Sequence, residues 1–201
     1  MSRYSPRARL TNSSTTSTVA NWFGNQFVAV PSGFEPIATI TVGAGGSSSP
    51  QFTSIPGTYK HLQIRVTARR TGSETGGATD FLRFNSDSGT NYSWHYLYGY
   101  SGGAAAGSLT SLTKGYVVST TGGGQTSGYF SSSIIDILDY ADTNKAKTVR
   151  MFAGDGLNGN SVKTYSTAWL SNSAITSITF GTDANAYAQY THIALYGLKG
   201  A

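Results

Sequence analysis

The chain has 201 residues, 25 of them glycine and only two of them glutamate; that is too few helix formers for a helical bundle, and a 12% aromatic content is too high for a disordered chain. No cysteine is present, which excludes disulfides, thiolate metal sites and thiol nucleophiles. Of the net charge of +5, Arg3, Arg7 and Arg9 supply three units before the first acid, Glu35, so a basic arm precedes a nearly neutral body.

Residues 1–34 read as that arm. A serine/threonine block at 13–18 buries little, and Trp22, Phe23 and Phe27 offer apolar anchors. No apolar segment follows the N-terminal charge, so a secretory signal is not expected, and no run is long enough for a membrane helix.

From residue 35 the strand signals begin. Residues 37–42 alternate, and a Gly/Ser loop spans 43–50. Residues 59–69 form the clearest strand, with Leu62, Ile64, Val66 and Ala68 on one face and His61, Gln63, Arg65, Thr67 and Arg69 on the other. Further strands are expected at 80–85, 92–100, 109–118, 129–138, 147–153, 163–170, 174–180 and 190–198. Turn chemistry closes the first of these at Asn85-Ser86-Asp87-Ser88-Gly89. Nothing shows a helical period beyond a single turn at 139–145. The pattern predicts an all-β, jelly-roll-like antiparallel β-sandwich over 35–201 with an extended N-terminal arm over 1–34.

Several patterns suggest chemistry, and each has a plainer reading. Gly99-Tyr100-Ser101-Gly102-Gly103 matches G-x-S-x-G, but a nucleophile elbow needs a strand-to-helix turn and a strand-like run follows here. Gly154 to Gly159 matches G-x-G-x-x-G without the helix that would hold a pyrophosphate, so a hairpin loop is expected. The oxygens of 85–91 alternate as in calcium loops, but Tyr96 occupies the twelfth position where an EF-hand needs glutamate. Asp155, Asn158 and Asn160 form a similarly loose set. His61, His95 and His192 lack metal-ligand spacing. Asp136 and Asp139 suit turn capping and pairing with Lys145, Lys147 or Arg150 better than the two sides of a glycosidase cleft. Arg65, Arg69, Arg70 and Arg83 are candidates for a basic patch on a body too neutral for duplex binding.

The aromatic row is more informative. Tyr92, Trp94, Tyr96, Tyr98 and Tyr100 share one strand face at period two. Such a row can be core, a subunit interface or a glycan platform, because these rings combine apolar area with a polar tip.

Four stretches together resemble a family of small tailed-bacteriophage virion proteins, described variously as tail-fibre-like, head-fibre-like or minor structural proteins. They are Ile55-Pro56-Gly57-Thr58-Tyr59-Lys60-His61-Leu62-Gln63-Ile64-Arg65, the segment from Leu82-Arg83-Phe84-Asn85 to Tyr92-Ser93-Trp94-His95, Ser133 to Tyr140, and Ile193 to Gly200. The resemblance covers residues 37–200 and leaves out the arm. It implies a β-sandwich without known catalytic residues and does not say capsid or tail.

The resemblance implies a virion protein, and together with the absence of a credible catalytic motif it leads to the expectation of a non-enzymatic one, made in the host cytoplasm and displayed on the particle surface. The leading expectation is a capsid decoration or cement protein without cofactor or metal. Its arm, through Arg3, Arg7, Arg9, Trp22, Phe23 and Phe27, would bind the major capsid protein or other virion subunits. A homo-oligomer is expected, a trimer by analogy with phage decoration and fibre proteins, with neither nucleic acid nor membrane as partner. The alternative is a tail- or head-fibre module that binds host glycans through the Tyr92–Tyr100 row or through Tyr165 and Trp169.

Overall fold

A computed structural model describes the strands Ala20–Phe23 and Gln26–Ala29 together with residues 33–155 and 161–200. Arg3, Arg7 and Arg9 lie outside the described residues, as do Asn158 and Asn160. The chain divides into two compact units, Met1–Gly33 and Phe34–Ala201.

The first unit holds a two-stranded antiparallel hairpin of β1 (Ala20–Phe23) and β2 (Gln26–Ala29), in which Trp22 faces Phe27 in register. The sequence reading assigned no strand to the arm. The signal is nonetheless local: aromatic and β-branched residues flank Gly24-Asn25, a dipeptide typical of two-residue hairpins.

The second unit is an all-β sandwich of two antiparallel sheets. Its strands are β3 (Phe34–Thr41), β4 (Gln51–Phe52), β5 (His61–Ala68), β6 (Gly77–Phe84), β7 (Tyr92–Tyr100), β8 (Gly103–Leu112), β9 (Gly115–Thr121), β10 (Ser131–Ile137), β11 (Lys147–Asp155), β12 (Ser161–Trp169), β13 (Ile178–Gly181) and β14 (His192–Leu198). The large sheet has the order β3-β14-β5-β10-β11-β12-β7-β8, and the small one β4-β13-β6-β9. No helix among the described residues is long and apolar enough to cross a membrane.

Period-two alternation builds the core. Leu62, Ile64, Val66 and Ala68 of β5 are buried, as are Ile135 and Ile137 of β10 and Val149 and Met151 of β11. The small sheet answers with Leu82, Phe84, Val118, Ile178 and Phe180. At one end Tyr92 stacks on Trp169 at 6.4 Å, and Phe84 meets Trp169 at 5.4 Å. The Tyr92 hydroxyl accepts the Phe84 N–H at 3.0 Å, and burial pushes its pKa up to about 12.

Three expectations from the sequence differ from the structure. The expected strand at 109–118 is two strands in different sheets, broken at Thr113 and Lys114, where the chain crosses from the large sheet to the small one. Periodicity cannot see a change of partner. The expected strand at 174–180 shortens to Ile178–Gly181, because Asn85 takes the backbone before it: its Oδ1 accepts the N–H groups of Thr176 and Ser177, and its Nδ2 donates to Ala174 O at 2.8 Å. Residues 139–145 form turns and no helix.

Candidate functional site

The small sheet does not cover the whole of the large one. Its edge strand β9 packs across β5, β10, β11 and β12 and reaches only part of β7. The aromatic row on β7 therefore starts in the core and runs out into the open. Tyr92 is fully buried, Trp94, Tyr96 and Tyr98 are half-buried, and Tyr100 is 44% exposed. Tyr92 thus belongs to the core and drops out of any accessible platform. Tyr165 and Trp169 are buried strand residues of β12, not loop aromatics; Trp169 drops out with Tyr92, and Tyr165 reaches the groove below only as a 3% exposed wall.

The exposed part of the row is continuous. Ring centroids are 4.6 Å apart for Trp94 and Tyr96, 5.8 Å for Tyr96 and Tyr98, and 5.8 Å for Tyr98 and Tyr100. Trp94 also meets Tyr165 edge-on at 5.3 Å and Tyr116 at 5.0 Å. On the side of β8 the partners of Tyr96, Tyr98 and Tyr100 are Gly107, Ala105 and Gly103. On the side of β12, Tyr165 faces Tyr96 and Lys163 faces Tyr98. Trp94, Tyr96, Tyr98, Tyr100 and Lys163, with Ser108 and Leu109 of β8, line a groove of about 510 Å³.

One end of the groove is polar. Lys163 is 7% exposed; its Nζ donates to Ser119 Oγ at 3.0 Å and to Asp155 Oδ2 at 3.2 Å. Asp155 also accepts the Ser161 N–H at 3.0 Å and the Ser161 hydroxyl at 2.9 Å. The Tyr165 hydroxyl shares a hydrogen bond with Thr79 at 3.1 Å, and burial raises its pKa. Lys163 was missed as a groove residue. The alternation of β12 puts it on the same face as Tyr165, Thr167 and Trp169, but only the register places that face beside the tyrosine row.

The remaining sequence candidates have structural roles. Gly99–Gly103 is the turn between two strands, β7 and β8, so Ser101 lacks the helix an elbow requires. Residues 156–160 connect the antiparallel pair β11 and β12 and lie outside the described residues. In the 85–91 loop, Asp87 accepts from Trp169 Nε1, Asn91 and Gly89, so its oxygens serve the turn. Among the described residues no group of three or more His, Asp or Glu is placed to hold a metal ion. His61 Nδ1 accepts the Asp139 N–H at 3.0 Å, and Asp136 accepts from Gln63.

The four arginines do not form a patch. Arg65 lies over the Phe34 and Tyr196 rings, and Arg83 donates to Thr113 O at 3.0 Å. Arg69 donates to four carbonyls, those of Gly123, Gln125, Thr126 and Tyr129, and so holds the loop after β9. Arg70 is buried against Asp80. Of the arm candidates, Trp22, Phe23 and Phe27 fall on the β1–β2 hairpin.

The outer face of the large sheet carries an apolar row of its own. Ile134, Phe152, Thr164, Leu97 and Ala106 are successive cross-strand partners from β10 to β8. Phe152 is 61% exposed and Leu97 53%.

No protein-family model matches the chain, nor does any curated protein or solved structure.

Proposed function

We propose that the chain is a non-enzymatic structural protein of a bacteriophage particle, a capsid decoration protein held on the shell by its N-terminal arm. The observation that carries this reading is the division at Gly33: a sandwich unit, whose described core residues run from Val42 to Leu195, follows a unit that bears a basic segment and a hairpin with three aromatic residues. The basic and aromatic composition of the first unit suits attachment to a partner surface. The resemblance of 37–200 to small phage virion proteins supports a place on the particle and does not choose between capsid and tail.

The exposed Ile134 and Phe152, direct partners across β10 and β11, and Leu97 beyond Thr164 on the same face support contact between copies. A trimer fits this reading by analogy with other phage surface proteins. Shallow contacts repeated by the capsid lattice then add through multivalency.

Deletion of residues 1–33 tests the proposal. The truncated chain is expected to keep its unfolding transition and to lose capsid binding; retained binding overturns the arm's role. Copy number per virion separates the decoration reading from the fibre alternative. A number in proportion to the capsid lattice supports decoration, since repeated lattice sites supply equivalent positions. A few copies to a few dozen place the domain on a tail, collar or fibre.

A further inference from the structure

We propose that the groove over β7, β8 and β12 is a binding site for a neutral saccharide chain, with Tyr96, Tyr98 and Tyr100 as the stacking platform and Lys163 and Asp155 as the polar end. The proposal stands whether the domain sits on a capsid or on a fibre.

The first argument is the platform itself. Three rings follow one another at 5.8 Å steps with interplanar angles of 31° and 39°. That step is comparable to the length of one pyranose unit, so successive sugar rings meet successive tyrosines. The β8 residues beside them, Gly107, Ala105 and Gly103, are too small to cover the ring faces. A row serving only as core would be closed by a facing sheet, and the small sheet ends before Tyr100.

The second argument is charge. The cation in the groove is already neutralised, because Lys163 and Asp155 are paired at 3.2 Å. A polyanion would meet Asp155, and a cationic ligand would meet Lys163. An uncharged polyhydroxyl ligand suits both. The Lys163 ammonium has three donors and gives two of them to Ser119 and Asp155, which leaves one for a sugar hydroxyl. The Tyr96, Tyr98 and Tyr100 hydroxyls add groups that both donate and accept.

The third argument separates saccharide from peptide. An extended peptide gains affinity mainly from backbone hydrogen bonds to a free strand edge. β7 is paired on both sides, with β12 and β8, so a peptide laid along the tyrosine row finds no such edge there; the sheet's free edge is the far side of β8. The volume of about 510 Å³ lies within the range of small-ligand pockets and fits a short oligosaccharide.

The test uses the full chain and a panel of neutral oligosaccharides of glucose, mannose, galactose and N-acetylglucosamine, followed by calorimetric titration and saturation-transfer NMR. At least one member is expected to bind, with Tyr98→Ala or Tyr100→Ala weakening it about tenfold. Leu97→Ala, on the opposite face of the same strand, is expected to leave binding unchanged. Tyr100→Ala removes an exposed ring, and its unfolding midpoint checks that any loss is not a loss of fold. The proposal is overturned if no panel member binds at millimolar concentration, if both tyrosine variants bind as the parent does, or if Leu97→Ala weakens binding equally. Saturable binding of a synthetic peptide of residues 1–19 at the tyrosines, without saccharide binding, assigns the groove to the arm and overturns it as well.

Discussion

Tyr96 on β7 and Gly107 on β8 are direct cross-strand partners, and the tyrosine ring occupies the space that a β-carbon at residue 107 would need. The glycine is therefore what lets the ring lie down over the neighbouring strand. A side chain at 107 would lift it and break the continuity from Trp94 to Tyr98.

Gly107→Ala is expected to destabilise the domain by about 1–3 kcal/mol, the usual cost of forcing a methyl group into filled space. Denaturant unfolding measures it. Near-UV circular dichroism should change at the same time, because the Trp94–Tyr96 contact at 4.6 Å is disturbed. An unaltered spectrum and midpoint would show that the ring does not depend on this glycine.

Arg70 and Asp80 form an ion pair inside the sandwich, with side chains 9% and 0% exposed. Burial raises the Asp80 pKa against the opposing pull of the Arg70 guanidinium. Arg70→Met leaves the carboxylate without its cation and is expected to cost about 3–5 kcal/mol near neutral pH. Because the folded-state pKa of Asp80 is raised, protonation favours the native state, and the deficit should shrink as pH falls. Adding Asp80→Leu to Arg70→Met should recover most of the loss. A double variant as unstable as the single one would contradict this account.

Acid stability is expected to depend on Asp139. Its carboxylate accepts from Lys145 Nζ at 2.6 Å and pairs with Lys60 Nζ at 2.7 Å, which together hold its pKa well below the usual carboxylate range. A carboxyl depressed in the folded state contributes stability that is fully present above its unfolded pKa of about 3.9 and is lost as pH falls through the folded value. Asp139→Asn should therefore flatten the acid limb of the stability curve below about pH 4. Glu35, Asp87 and Asp142 are depressed too, so part of that limb should remain. Unfolding midpoints of both proteins between neutral and strongly acidic pH give the comparison.

Much of the sandwich was legible because its signals are local. β5 alternates over eight residues, and Asn85-Ser86 marks the turn after β6, where both residues take positive φ. β4 escaped because Gln51-Phe52 is too short to show a period. The site was half legible. The row from Tyr92 to Tyr100 could be read from alternation, but Tyr92 could not be told from Tyr100. The four arginines illustrate the same limit: as a composition they suggest a patch, and their partners disperse them into an aromatic contact, a loop clamp and a buried pair.

The sequence by itself determined the all-β class, the face on which each aromatic of β7 lies and turns such as the one after β6, because side-chain direction in a strand depends only on neighbouring residues. The tertiary structure alone decided which part of each face is covered. That depends on pairing between strands far apart in sequence: the register that puts Lys163 beside Tyr98, and a four-stranded sheet too narrow to close an eight-stranded one. The groove is the uncovered remainder, and no local period encodes where a distant sheet ends.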